Sequence, residues 1–477
     1  MSGTYFVQTF GCQMNVHDSD RMEEVLGAHG WARAEDARMA DVVILNTCSV
    51  REKAEQKLRS EVGRLAILKR ERPELLIAVA GCVAQQEGEK LLSHIAALDL
   101  VLGPDNIAEL PALLEAQRAG SPPVARTVFD LASPQFLSAQ PVAGRAPVSA
   151  FVTTMKGCDE RCSFCVVPYT RGPERYRPAD DIVAEVARWV AAGTREVVLL
   201  GQTVDSYRDP SLPPPESEDP DESQFPHLLR RIAAEVPQLL RLRYTSPHPR
   251  HCTASLARAH ADLDVLVRHV HMPVQSGSDR MLKRMIRRYT RAEYIERVRR
   301  LQSARAGMTL STDVIVGFPG ETDEDFDATL TLVRELGFVS LFGFKFSPRP
   351  HTPALKLADD VPEATKAERL ARLFEVSEGQ LRAHLATLAG TTQRVLVEGR
   401  SERAEEAPRF EGRTERNEIV HIEEAAAFDL VGREVEVRIT RANKHSLAGL
   451  LTDGARVSLP AAAARPATRT RSLPVVL

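Results

Sequence analysis

No apolar run in this sequence approaches the roughly 18 residues that cross a membrane. The opening MSGTYFVQTFGC has no basic stretch followed by an apolar one, so it does not read as a signal peptide. A soluble, cytoplasmic protein with no membrane partner is expected. Cysteine is scarce, at seven in 477 residues, too few for a secreted disulfide scaffold. In a reducing compartment, grouped cysteines instead bind metal or do chemistry. A charge excess is missing too: the formal net charge is −3, so any nucleic-acid surface must be local. There is no long internal repeat. Apolar residues make up 43%, enough to fold, and the length implies two to four domains.

Three apolar runs punctuate the first part: TYFVQTF (4–10), DVVILNT (41–47) and LLIAVAG (75–81). Charged helical stretches separate them, which predicts a parallel α/β sheet over 4–119. Residues 120–143, rich in Pro, Ala and Ser, read as a linker. A core over 144–376 carries six strand candidates: FVTTMK (151–156), EVVLL (196–200), LLRLRYT (239–245), LVRHVHM (266–272), MTLSTDVIVG (308–317) and FVSLFGFKF (338–346). Six βα units suit a partial barrel. The acidic insert DPSLPPPESEDPDE (209–222) reads as a mobile surface loop. A charged helix over about 362–389 leads to alternating strands, RVLVEG (394–399) and EVEVRIT (434–440), of a small antiparallel β-domain over 387–455. Residues 456–477 read as a disordered tail.

The strongest motif is KGCDERCSFCVVPYTRG (156–172). Cys158, Cys162 and Cys165 have CxxxCxxC spacing, and three thiolates can hold three irons of a [4Fe–4S] cluster while leaving the fourth open to a ligand. A zinc knuckle or a redox cysteine pair is the competing reading, but a zinc knuckle normally supplies four ligands and no fourth Cys or His follows at suitable spacing. Cys12, Cys48 and Cys82 each come just after one of the three N-terminal strands. The C-terminal ends of parallel strands share one edge, so these three distant residues converge and predict a second cluster site. The bland alternative is three buried structural cysteines. Cys252 reads as a structural thiol, and Trp31 and Trp189 as packing residues.

Weaker signals gather on the same barrel face. Gly201 and Gln202 follow the second strand, and Gln275, Ser276 and Ser278 the fourth. Gly317 and Gly320 follow the fifth. Each alone is ordinary loop chemistry. The stretch 280–300 holds nine Lys or Arg against two Glu and could meet phosphate or be a solvated helix face. Arg171, Arg175 and Arg177 add positive charge beside the cysteine loop.

With these residues laid out, the chain resembles the radical SAM methylthiotransferases from about residue 4 to 455. The resemblance implies a flavodoxin-like N-terminal domain, a partial (β/α)6 radical SAM barrel and a C-terminal TRAM β-barrel, the last on FEGRTERNEIVHI (410–422) and the segment after it. TFGCQMNVHDSDRM, GCDERCSFCVVPYTRGPERYRP and HMPVQSGSDRMLKRMIRRYTRAEY look most like the branch that methylthiolates isopentenylated adenosine in bacterial tRNA. FGCQMN matches neither the LGCPKN-like start of the ribosomal-protein branch nor the LGCKVN-like start of the threonylcarbamoyl-adenosine branch. Tyr176, Thr203, Asp205 and His351 depart from the usual pattern; none is a cysteine.

The resemblance implies two [4Fe–4S] clusters, the catalytic one on Cys158, Cys162 and Cys165 and an auxiliary one on Cys12, Cys48 and Cys82. S-adenosylmethionine is then both radical source and methyl donor, with Phe164 on its adenine and Gln202, Ser276 and Asp313 holding the remainder. The implied substrate is the adenosine at position 37, beside the anticodon, with the anticodon stem-loop of tRNA gripped by the TRAM domain and the 280–300 stretch. A flavodoxin-like or ferredoxin-like electron donor and a monomeric state complete the expectation.

Overall fold

The computed structural model describes residues 3–49, 52–132, 134–141, 146–400, 410–423 and 429–453. The tail expected over 456–477, and residues 133, 142 and 143 of the expected linker, lie outside the described residues. The chain divides into two compact units. One contains Met1–Gln140, Met155–Tyr176 and Ser347–Leu355; the other contains Pro141–Thr154, Arg177–Phe346 and Lys356–Leu477. The cysteine loop thus lies in the first unit.

The first unit is built on a six-stranded parallel sheet: β1 (Thr4–Phe10), β2 (Ala32–Arg33), β3 (Val42–Thr47), β4 (Leu76–Gly81), β5 (Leu100–Leu102) and β6 (Val124–Arg126), in the order 2-1-3-4-5-6. That is the flavodoxin-like order with one added edge strand. Side chains alternate across the sheet, and both faces are covered. Val42 and Ile44 pack with Met22, Leu26, Leu110 and Leu114 on one face. Val43 and Leu45 pack with Leu58, Val62 and Leu65 on the other. Burial on both faces is why these strands read as continuous apolar runs.

The second unit begins at β7 (Ser149–Thr153). The expected strand FVTTMK does not continue as one strand. Thr154 N donates to Leu200 O at 2.9 Å, and the chain then leaves for β8 (Met155–Lys156), which pairs with β9 (Arg175–Tyr176) as an antiparallel ribbon of the first unit. The second unit continues with β10 (Glu196–Leu200), β11 (Arg241–Tyr244), β12 (His269–His271), β13 (Thr309–Val316) and β14 (Ser340–Lys345). All pairs are parallel, and an isolated Leu242–Leu266 bridge joins the two three-stranded sheets. Six strands alternating with helices form the partial barrel.

The insert 209–222 is tied down. Asp209 Oδ1 accepts from Ser211 N at 2.7 Å, Glu216 pairs with Arg230 and Arg258, and Asp221 with Arg250.

The helix Glu363–Leu388 leads to a closed barrel of β15 (Thr392–Arg400), β16 (Phe410–Thr414), β17 (Ile419–Ile422), β18 (Glu434–Ala442) and β19 (Leu447–Leu451). Its pairs are antiparallel except β17 with β19. Leu385 and Leu388 of the helix join Val395, Val397, Val437 and Ile439 in its core. Charge fixes this barrel to the starts of the parallel strands. Arg241 donates to Glu434 Oε1 and Arg413 O, both at 2.8 Å, and Arg243 donates to Glu415 O at 3.4 Å. The β-barrel therefore sits at the opposite end of those strands from Gln202 and Asp313.

Candidate active site

In the first unit, β1, β3 and β4 end in register, with Phe10 opposite Thr47 and Thr47 opposite Gly81. Cys12, Cys48 and Cys82 follow those ends and meet along one edge of the sheet. Gly11 has φ +146°, and a Cβ there would overlap the Cβ of Cys48. Only glycine allows this approach. Beneath Cys12, Asn15 Nδ2 donates to Asn46 Oδ1 at 3.2 Å, and Asn46 Nδ2 donates back to Asn15 O at 2.8 Å.

The thiols differ electrostatically. A hydrogen bond with Cys48, outweighing burial, lowers Cys12 to about 6, with Asn15 and Arg171 assisting. Burial raises Cys82, and Arg171 pulls it back.

The loop between β8 and β9 carries the other triplet. Cys158 N donates to Gly172 O at 3.1 Å and Cys165 N to Cys162 O at 3.0 Å. Gly157 has φ +78°, and a Cβ there would overlap the Pro173 carbonyl, so the loop closes only over glycine. Phe164 is half-buried between two of the cysteines. Ala354 N donates to Ser163 O at 2.8 Å, bringing in the 347–355 segment. His351 in that segment adopts φ +66°, a left-handed conformation that suits glycine better.

Two buried arginines bolt this loop to the N-terminal sheet. Arg171 Nη2 donates to Asp18 Oδ2 at 2.6 Å, and its Nε donates to Cys82 Sγ at 3.3 Å. Arg175 Nη1 donates to Asp105 Oδ2 at 2.5 Å, and Lys156 pairs with Asp105 at 3.1 Å. Arg175 also donates to Arg171 O at 2.7 Å. Arg171, Arg175 and Arg177 are 6%, 7% and 1% exposed, so they are structural cations and present no phosphate-binding surface. In the second unit, Arg177 pairs with Glu185 at 2.6 Å.

Among the described residues no three His, Cys, Asp or Glu side chains converge closely enough for a single metal ion. A four-iron cluster is a larger guest, holding its thiolates apart by its own width. What it requires is on hand: cysteines in threes, on loops closed by glycine and backed by hydrogen bonds.

In the second unit, Gln202, Ser276 and Asp313 lie toward the C-terminal ends of the parallel strands. Both polar atoms of the Gln202 amide are buried without a partner among the described residues. A buried amide left unpaired costs ~1–3 kcal/mol, so this group fits a ligand that completes it. Asp313 Oδ1 lies 3.2 Å from His271 Nε2 and is partly open. Ser276 behaves differently. It is fully buried, and its hydroxyl accepts from Ser278 N and meets Thr329 Oγ1, both at 3.3 Å. The neighbouring Gln275 has φ +74°; its N donates to Asp313 O at 2.8 Å, and its carbonyl accepts from Ile315 N at 2.9 Å.

The 280–300 stretch is less available than its composition suggests. Arg280 is bound to Asp325, Arg291 and Arg299 to Glu335, Arg300 to Glu296, and Arg297 to Pro249 O. Arg287 is buried against Tyr289 and Pro273 O.

The chain matches the uncharacterized protein family UPF0004 over residues 4–103, the radical SAM superfamily over 152–333 and the TRAM domain over 386–452. A protein of Sorangium cellulosum (strain So ce56) named tRNA-2-methylthio-N(6)-dimethylallyladenosine synthase is 64% identical, over 99% of this chain and 98% of its own. One of the same name from Anaeromyxobacter sp. (strain K) is 47% identical over 94% of each chain. The chain belongs to the tRNA-2-methylthio-N(6)-dimethylallyladenosine synthase family of radical SAM methylthiotransferases. Among solved structures it is similar to the radical S-adenosylmethionine methyltransferase TsrM from Kitasatospora setae with cobalamin and a [4Fe-4S] cluster bound. The TM-score is 0.51 at 15% identity, covering 83% of this chain and 77% of that one. That likeness is one of fold.

For a methylthiotransferase, the residues that sequence reasoning missed are Asp18 and the inward role of Arg171. Both stand inside quoted motifs, NVHDSD and PYTRG, and only the fold pairs them.

Proposed function

We propose that the chain converts N(6)-dimethylallyladenosine at position 37 of tRNA to its 2-methylthio derivative. In this reading Cys158, Cys162 and Cys165 hold one [4Fe–4S] cluster and Cys12, Cys48 and Cys82 a second. When bound, the first supplies the electron that cleaves S-adenosylmethionine to methionine and a 5′-deoxyadenosyl radical, and the second supplies sulfur for C2 of the adenine.

The chain's own residues do the rest. Cys158, Cys162 and Cys165 would supply three protein ligands to the cluster, which would leave a position for the cosubstrate. Gln202 offers a donor and an acceptor to S-adenosylmethionine, and Asp313 an acceptor. Phe164 stacks on its adenine. Ser276 acts indirectly, holding the turn through Ser278 and Thr329. A further S-adenosylmethionine gives the methyl group. The target adenosine must leave its stack to react, which an unpaired anticodon loop allows. Exposed Lys283 and Arg438 are proposed phosphate contacts. A flavodoxin-like or ferredoxin-like protein donates the electron, and the chain works as a monomer.

One observation carries this reading: a single compact unit holds two separate triplets of cysteines. It is tested by anaerobic assay of the reconstituted chain on tRNA bearing or lacking the dimethylallyl group, read by nucleoside mass spectrometry. Methylthio product from the dimethylallylated tRNA alone is expected. Product from neither tRNA, with 5′-deoxyadenosine still formed, would refute the substrate assignment.

A further inference from the structure

Arg171 is placed unusually for a loop arginine. It lies six residues after Cys165, in the loop of the first cysteine triplet, yet its guanidinium is buried against a member of the second. The fork is divided between two partners. Nη1 and Nη2 donate to the Asp18 carboxylate at 3.4 and 2.6 Å, and Nε donates to Cys82 Sγ at 3.3 Å. Its carbonyl accepts from Arg175 Nη2 at 2.7 Å, and Arg175 is anchored on Asp105. The cation is thus fixed at both ends.

We infer that Arg171, held by Asp18, is a positioning residue that donates to the Cys82 sulfur and sets the reduction potential of the auxiliary cluster. The inference rests on the proposal that Cys12, Cys48 and Cys82 hold such a cluster. A thiolate ligand spends part of its charge on a hydrogen bond it accepts, and a nearby cation favours the more negative, reduced cluster. Both effects raise the potential. The guanidinium is suited to the task because its planar fork can serve a carboxylate and a sulfur together, whereas an ammonium is a point charge. The same side chain ties the sulfur-bearing edge to the loop of the first triplet, so the two triplets keep a fixed register.

The test uses the full chain with Cys158, Cys162 and Cys165 changed to Ala, reconstituted anaerobically so that only the auxiliary site loads. Iron content and an EPR-monitored reductive titration are recorded for this parent and for Arg171→Met and Arg171→Lys in it. The titrated step is the addition of one electron from the chemical reductant, with no bond made or broken. The expected result is about four irons in each protein and a potential more negative in the Met variant. The change in the reduction equilibrium should be about tenfold or more, ~59 mV for one electron. The Lys variant, which keeps the charge beside Asp18 but loses the Nε–H bond, should fall between. If the Met variant does not fold, the Lys variant decides alone. Unchanged potential and EPR signal in a loaded variant would overturn the inference. A parent without iron would overturn the auxiliary-cluster proposal and this inference with it. A loaded parent with unshifted variants overturns the inference alone.

Discussion

The Nε of Arg171 lies 3.3 Å from the Sγ of Cys82, although the two residues are 89 positions apart. One comes from the loop of Cys158, Cys162 and Cys165, the other from the end of β4. The contact links the two cysteine triplets, and with the Asp18 and Asp105 pairs it makes the loop part of the N-terminal unit.

Removing Asp18 should therefore cost more than an ordinary surface charge. Asp18 and Arg171 are 7% and 6% exposed in their side chains, and breaking such a pair costs ~3–5 kcal/mol. Asp18→Ala should lower the urea midpoint sharply, while Arg38→Ala, whose partner Asp36 is open to solvent, should leave it almost unchanged. Equal midpoints would contradict the buried-pair account.

Gly157→Ala tests the closure of the first loop. Positive φ and the overlap with Pro173 O leave no room for a methyl group. The variant should lose about half of its reconstituted iron and its 5′-deoxyadenosine production, while keeping the iron of the Cys12 triplet. Full iron loading would show that the loop tolerates the change.

Gln202→Leu tests the unpaired amide. Two lost hydrogen bonds predict at least a tenfold weaker affinity for S-adenosylmethionine, ~1.4 kcal/mol or more, in equilibrium binding to the loaded enzyme. Unchanged affinity would remove Gln202 from the site.

His260 gives the pH prediction. Burial, with Arg305 nearby, lowers it to about 3, and its Nε2 meets the Tyr244 hydroxyl at 2.8 Å. An unfolded histidine titrates at ~6.5. Between these values the unfolded chain takes up a proton that the folded chain refuses. This contribution is complete above ~6.5 and is lost as pH falls toward about 3, at ~1.4 kcal/mol per pH unit. His260→Gln should reduce the loss of stability between about pH 7 and about pH 5 by ~2 kcal/mol in urea unfolding. An identical pH dependence would contradict it.

What could be read from the sequence follows from the range of each interaction. β3 and β4 showed themselves because strands buried on both faces are continuously apolar, whereas β2, β5 and β6 are two or three residues long and show no period. FVTTMK reads as one strand, but its partner β10 ends at Leu200, so Thr154 makes the last rung of the ladder and the pairing stops there. The cysteine triplets were visible because their positions after strands or in close spacing are local features. Arg171 and Asp18 were not, since 153 residues separate them. The ion pairs of the 280–300 stretch are illegible for the same reason: its partners Asp325 and Glu335 lie outside it.

The central claim is that the Cys158 triplet makes the radical and the Cys12 triplet supplies sulfur. The direct measurement is a paired assay of Cys48→Ala and Cys162→Ala enzymes, reconstituted anaerobically with S-adenosylmethionine, reductant and dimethylallylated tRNA. Each is read for 5′-deoxyadenosine and for methylthiolated nucleoside. The account predicts 5′-deoxyadenosine without methylthio product from Cys48→Ala, and neither from Cys162→Ala. Methylthio product from Cys48→Ala at the parent's level would contradict it.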